Sequence, residues 1–172
     1  MAMANSWKKA RRRAGAALVL AVALLGNTVL AAPFAHADNK RQLRSIFIDI
    51  YTAQQRAGCK TDPRLDARLV EAARLHTLDV LGNRDLNGDI GSDGSTPQDR
   101  ANGQGFSGKV AQTVAINPAL AISDVEILRQ WWYDPVSRAI MQDCGNTAIG
   151  VWSENSLDRS VVVAVYGQPV IP

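Results

Sequence analysis

Leu43, Ile46, Phe47, Ile50 and Ala53 recur at three- and four-residue spacing and mark one face of an amphipathic helix. Ala57-Gly58 closes that segment, because glycine takes the left-handed conformation that ends a helix at little cost. Leu65, Leu69, Ala72 and His76 form a second stripe, with Asp62-Pro63 expected as its cap and first-turn proline and Gly82 as its end. Residues 83–95 are polar and glycine-rich, lack periodicity, and read as a loop. Thr96-Pro97-Gln98-Asp99 then supplies a cap, a first-turn proline and an acidic third position for a short helix.

The period changes to two at Val110–Ile116, where Val110, Gln112 and Val114 alternate with Ala111, Thr113 and Ala115. This predicts a strand that Asn117-Pro118 breaks. Ser123 and Glu126 make the pattern of a capping box ahead of a helix carrying Val125, Leu128 and Trp132 on one face. Pro135 interrupts that helix, and a short helical turn through Ile140 follows. Ala148–Ser153 and Ser160–Tyr166 are β-rich runs joined by the polar Glu154–Arg159, which predicts an antiparallel hairpin. Helices that precede and interleave with a few antiparallel strands define a layered α+β domain.

The N-terminal segment follows a different logic. Lys8 to Arg13 are basic, Ala16 to Leu25 form a short apolar run, and Ala35-His36-Ala37 has the small-x-small pattern of a cleavage site. A signal peptide is therefore expected over residues 1–37 and a folded domain over 38–172. Gly26-Asn27-Thr28 and Pro33 leave the apolar run short for a membrane span, so an uncleaved anchor is the lesser alternative. Twin-arginine export fits poorly, since Ala14-Gly15 stands where apolar residues should follow Arg11-Arg12-Arg13. The expected location is extracellular or in the cell envelope.

That division changes the meaning of the charge. The full chain of 172 residues has 19 Lys+Arg against 16 Asp+Glu, but residues 38–172 carry 14 basic and 16 acidic side chains. Nucleic acid as a partner loses its electrostatic basis. Beyond residue 37 the single histidine is His76, which excludes zinc sites with two or three imidazoles and two-histidine acid–base pairs within one subunit. Cys59 and Cys144 are the sole cysteines, and an oxidising exterior favours a bond between them. Closing a loop of that length is worth about 4–5 kcal/mol in the chain-entropy description. A catalytic thiol is the weaker reading, as neither cysteine has a histidine nearby in sequence.

Taken in order, Ala57-Gly58, Pro63-Arg64-Leu65, Leu69, Ala72-Ala73 and His76 resemble the start of a CAP (SCP-like) domain. Gly91-Ser92-Asp93-Gly94-Ser95-Thr96-Pro97, Arg100-Ala101, Gly105-Phe106, Trp132-Tyr133-Asp134-Pro135, Arg138-Ala139 and Ile149-Gly150-Val151-Trp152 continue the likeness over about residues 42–168. The superfamily includes cysteine-rich secretory proteins, venom antigens and plant pathogenesis-related proteins. The resemblance implies a three-layer α-β-α sandwich with a small antiparallel sheet, and an extracellular setting.

Many CAP proteins carry a cleft tetrad of two histidines and two acids that can hold a divalent metal. Carried over by position, the first histidine slot falls on Asp89, the first glutamate slot on Gln112 and the second histidine slot on Ser137. Asp134 is the nearest residue to the remaining acid. Three of four slots are changed and both imidazoles are gone. Oxygen and amide donors are poor partners for zinc or copper, and none titrates near neutral pH. No metal, no cofactor and no hydrolase activity are therefore expected.

Other features have plainer readings. His76 reads as a satisfied, partly buried helix histidine that could approach the cleft floor. Asp85, Asn87, Asp89 and Asp93 occupy calcium-loop positions, but Ile90 and Thr96 replace the required glycine and glutamate, so a solvated turn is expected. Trp131 and Trp132 cannot share one helix face, so one of them should lie nearer the surface; with Trp152 they are expected mainly in packing. Asp158-Arg159 reads as a solvated turn. The leading functional reading is a secreted, non-enzymatic CAP module binding a small lipid, sterol or fatty acid, or a cell-envelope partner, through the degenerate cleft of Asp89, Gln112, Ser137 and His76. The alternatives are a secreted hydrolase using Ser137 or Asp89 with His76, and a structural extracellular protein.

Overall fold

The computed structural model describes residues 34–170, with side chains from Lys40 onward. The expected signal peptide lies outside the described residues except for its last four, which open the first helix, α1 (Phe34–Arg56). Gly58, at φ +88°, turns the chain out of that helix as its position implied. No helix among the described residues is long and apolar enough to cross a membrane.

The start of the second helix differs from expectation. Arg64–Leu65 is a short strand, β1, and α2 runs from Ala67 to Gly82 with Asp66 as its cap, Oδ1 accepting the Arg68 N–H at 2.9 Å. Arg64 N–H donates to Thr147 O and Asp66 N–H to Ile149 O, so pairing with a distant strand overrides the local signal of Asp62-Pro63. Leu65 consequently points to solvent, while Leu69 and Ala72 are buried as predicted and His76, expected to be only partly buried and fully satisfied, is wholly buried with Nδ1 unpartnered. Next come α3 (Pro97–Gly103), with its complete Thr96/Asp99 capping box, and β2 (Gly108–Asn117).

The helix α4 (Asp124–Tyr133) has only half the expected box. Ser123 Oγ accepts the Glu126 N–H at 3.2 Å, but the Glu126 carboxylate turns to Arg129. Its buried face is Ile127 and Trp131, one position off the predicted stripe, and Val125 is 77% exposed. Pro135 begins a separate helix, α5 (Pro135–Gln142), capped by Asp134. The hairpin is longer and tighter than its sequence suggested: β3 (Ala148–Ser156) and β4 (Arg159–Pro169) meet at Leu157-Asp158.

The four strands lie in the order β1-β3-β4-β2. β4 pairs antiparallel with β3 and with β2, but β1 pairs parallel with β3. The sheet is therefore mixed rather than wholly antiparallel. Alternation along β4 builds both cores. Val161, Val163 and Val165 face Leu69, Ala73, Val80, Ala101 and Phe106 of the α2/α3 layer. Val162, Ala164 and Tyr166 face Ile46, Ile50, Ile127, Trp131 and Met141 of the α1/α4/α5 layer. A strand buried on both faces reads as a continuous apolar run, and the result is the predicted α-β-α sandwich. Cys59 and Cys144 form a disulfide that ties the chain after α1 to the chain after α5, with Cα atoms 5.1 Å apart.

Candidate functional site

Residues 83–95 cross the α2/α3 layer as a strap whose main chain is held by buried side chains. Arg159 Nη2 donates to Leu86 O at 2.7 Å, His76 Nε2 to Gly88 O at 2.8 Å and Arg100 Nη2 to Asp89 O at 2.7 Å. Arg100 Nη1 also donates to Ser95 O at 2.7 Å and Oγ at 3.1 Å. From α2, Asp79 accepts the Ser92 N–H at 2.8 Å and the Ser92 hydroxyl at 2.6 Å. A loop without periodicity has no ladder to satisfy its carbonyls, so side chains from neighbouring elements do so. Gly91 sits at the crowded end, where an added Cβ would lie 2.8 Å from both Asp93 Oδ1 and Ser95 Oγ.

Three of the four sequence-derived cleft residues meet here. Gln112, 3% exposed on β2, accepts from Arg100 Nη2 at 3.1 Å and donates Nε2 to Asp89 Oδ1 at 3.2 Å. The amide thus relays between a guanidinium and a carboxylate, needing a donor on one side and an acceptor on the other. His76 lies beside this relay, bonded to the strap's backbone. Ser137 belongs elsewhere: it stands in the first turn of α5, on the other layer, where its N–H donates to the capping Asp134 Oδ2 at 2.7 Å. The Ser137 side chain, and then that N–H, hold the Asp134 carboxyl below the usual range.

The chemistry of the cluster follows from its burial. A carbonyl oxygen only accepts, so the proton on His76 sits at Nε2, and Nδ1 is a buried nitrogen without a hydrogen-bond partner. Burial lowers the imidazole's pKa, helped by the Arg100 charge; the Gly88 contact, Asp79 and Asp89 oppose it. Burial also pulls Arg100 down from its ordinary value, against Asp89, Asp93, Asp79 and Asp99, and the guanidinium stays charged. A divalent metal does not fit this donor set. The Gln112 oxygen is already held by a cation, and the Asp89 carboxylate faces an amide nitrogen instead of an imidazole. The calcium-loop positions diverge as well, Asp89 binding Gln112 while Asp93 Oδ1 accepts the Ser95 N–H.

Arg100, Asp79 and Arg159 were not recognised as site residues in the sequence. Arg159 was expected to be solvated, yet it is 6% exposed and bonded to the strap, because it opens a strand covered on both faces. A usable signal lay in Arg100-Ala101, where a charged residue adjoins an apolar one just inside a capped helix, and in Asp79, one turn beyond His76 on α2. The tryptophans do not share a cavity: Trp131 and Trp132 belong to one core and Trp152 to the other. A shallow groove between α1 and α4, away from the strap, is lined by Ile46, Ile50, Ile127, Leu128, Trp131, Asp49 and Asp124, and it encloses no space for even a water molecule.

No family model and no curated protein sequence matches the chain. Solved structures do. An outer surface protein from Borrelia burgdorferi superposes with a TM-score of 0.66 at 16% identity, covering 76% of this chain and 94% of that one. An extracellular protein containing an SCP domain from Bacillus anthracis gives 0.64 at 14% identity, covering 76% of this chain and 41% of the other. Venom allergen-like protein 4 of Schistosoma mansoni gives 0.52 at 13% identity, with 76% and 90% covered. This chain thus spans about two fifths of the Bacillus protein and nearly all of the other two. The fold is that of the SCP domain, the CAP fold that the order of sequence motifs implied.

Proposed function

We propose that this chain is an exported, non-enzymatic SCP-fold module that acts by binding a cell-envelope component. The observation that carries the reading is the closed polar relay Arg100–Gln112–Asp89 beside the latched His76. Nucleophilic or acid–base hydrolysis needs a base within hydrogen-bonding reach of its partner. Here the histidine donates to a backbone carbonyl, the aspartate accepts from an amide, and Ser137 serves a helix cap on another layer. The signal-like N-terminal segment supports export, as does the likeness in fold to an outer surface protein and to an extracellular SCP-domain protein.

A small apolar ligand is the second reading, favoured by the apolar walls between α1 and α4. That groove has no enclosed room for a water molecule, whereas roughly 300–1,000 Å³ encloses a drug-sized molecule, so a lipid would have to part the two helices. The test has two arms. Purified exported protein should turn over no ester, peptide or glycan substrate, and turnover lost on Ser137→Ala or His76→Gln would overturn the non-enzymatic reading. Labelled protein should sediment saturably with isolated envelope fragments. Lipid adducts in native mass spectrometry, above those of a lysozyme control and without such sedimentation, would move the assignment to the apolar ligand.

A further inference from the structure

We propose that residues 83–95 form an acid-released strap, latched by neutral His76 and freed from Arg100 and Gln112 when that imidazole takes up a proton. The latch is a single bond, Nε2–H to Gly88 O, made by a side chain with 0% exposure. The neutral ring suits this place because its second nitrogen, Nδ1, has no acceptor near it and needs none while it carries no proton. Protonation creates an N–H at Nδ1 that the closed strap leaves buried and unpaired, and puts a charge into the apolar layer.

The groups around the ring are of both signs. Arg100 from α3 repels a protonated imidazole; Asp79 from α2 and Asp89 from the strap itself attract it, and burial outweighs them. Opening the strap admits water to Nδ1, so the open form binds the proton more readily than the closed form. Closure is therefore favoured above the ordinary histidine value of about 6.5 and weakens as pH falls below it. Lifting Gly88 also lifts its neighbour Asp89, whose main-chain oxygen and carboxylate bond Arg100 and Gln112. The consequence of acidification is local: the buried guanidinium and amide become accessible while both cores remain intact.

Hydrogen exchange tests this directly. The Ser92 amide, bonded to Asp79 Oδ2, reports strap docking, and amides of β4 report the core. After correction for intrinsic rates, Ser92 opening should rise by up to about tenfold for each pH unit between 6.5 and 5, with β4 unchanged. His76→Gln keeps a donor for Gly88 without a titrating group and should flatten the pH dependence. Equal pH dependence in that variant would overturn the proposal. Should the variant fail to fold, imidazole NMR of the wild-type chain decides: titration of His76 near 6.5 with no change at Ser92 overturns it as well.

Discussion

Arg100 Nη2 reaches Gln112 Oε1 at 3.1 Å, which fixes the amide with its nitrogen toward Asp89 Oδ1 at 3.2 Å. An amide is the group that can accept from a cation and donate to an anion at once. A glutamate, the residue expected at this slot from CAP resemblance, would serve only the first of these bonds.

Gln112→Glu is therefore expected to lower the melting temperature at neutral pH. The new carboxylate gains Arg100 but confronts the Asp89 carboxylate and loses a buried donor, for a net cost of about 1–3 kcal/mol. The cost should shrink toward pH 4, because proton uptake by the introduced glutamate would restore a donor toward Asp89. A calorimetric scan at pH 7 and pH 4 checks it; a variant more stable than wild type at pH 7 would mean that the Arg100 attraction dominates.

The tryptophan pair separates two readings of α4. Trp131 is 2% exposed and packs with Ile127 and Met141, whereas Trp132 is half-buried at the margin of the same core. Trp131→Ala should cost about 3–5 kcal/mol in urea unfolding, and Trp132→Ala clearly less. The reverse order would restore the stripe read from the sequence.

That stripe shows where sequence reasoning stopped. Leu128 lies between two candidate faces, Val125–Leu128–Trp132 and Ile127–Leu128–Trp131, and both satisfy helical spacing over a ten-residue helix. Only the position of the sheet decides between them. Local chemistry was read well at Gly58, at the Thr96/Asp99 box and in the cysteine pair, because each depends on a few residues or on elimination. Strand β1 escaped because two residues gain their conformation from Thr147 and Ile149, more than eighty positions away. The candidate site was half legible. Asp89, Gln112 and His76 are legible and Arg100-Ala101 carries a signal, but nothing in the spacing shows that Arg159 holds the strap, or that Ser137 stands apart.

Asp49 of α1 and Asp124 of α4 line the same groove between those helices. Burial, and then the Asp124 charge, raise the Asp49 pKa above its ordinary value. A folded-state value above the unfolded one means that the folded form holds the proton more tightly, so this group favours folding in acid and opposes it as pH rises through the carboxylate range. Asp49→Asn should therefore raise the melting temperature at pH 7 and give no gain near pH 3. Scans at both pH values check it. A loss of stability at pH 7 would show that the Asp49 charge is compensated.

Gly150 carries the closest approach between α2 and the sheet. An added Cβ would lie 2.0 Å from Leu69 C, 2.2 Å from Val70 N and 2.3 Å from Leu69 O, all main-chain atoms of the first turn of α2. No rotamer change relieves such a clash; the helix itself must shift. Gly150→Ala is expected to cost at least about 3 kcal/mol or to abolish folding, beyond the usual cost of overpacking a core. The displacement would also move His76 and Asp79, which ride on the same helix, so a folded remnant should show faster exchange at Ser92 at neutral pH. Gly82→Ala, with no atom within 4 Å of the added Cβ, is the control and should leave stability unchanged or slightly higher. A Gly150→Ala protein with wild-type unfolding would mean that α2 can slide along β3, and the strap's anchorage on α2 would then lack the rigid base that the latch requires.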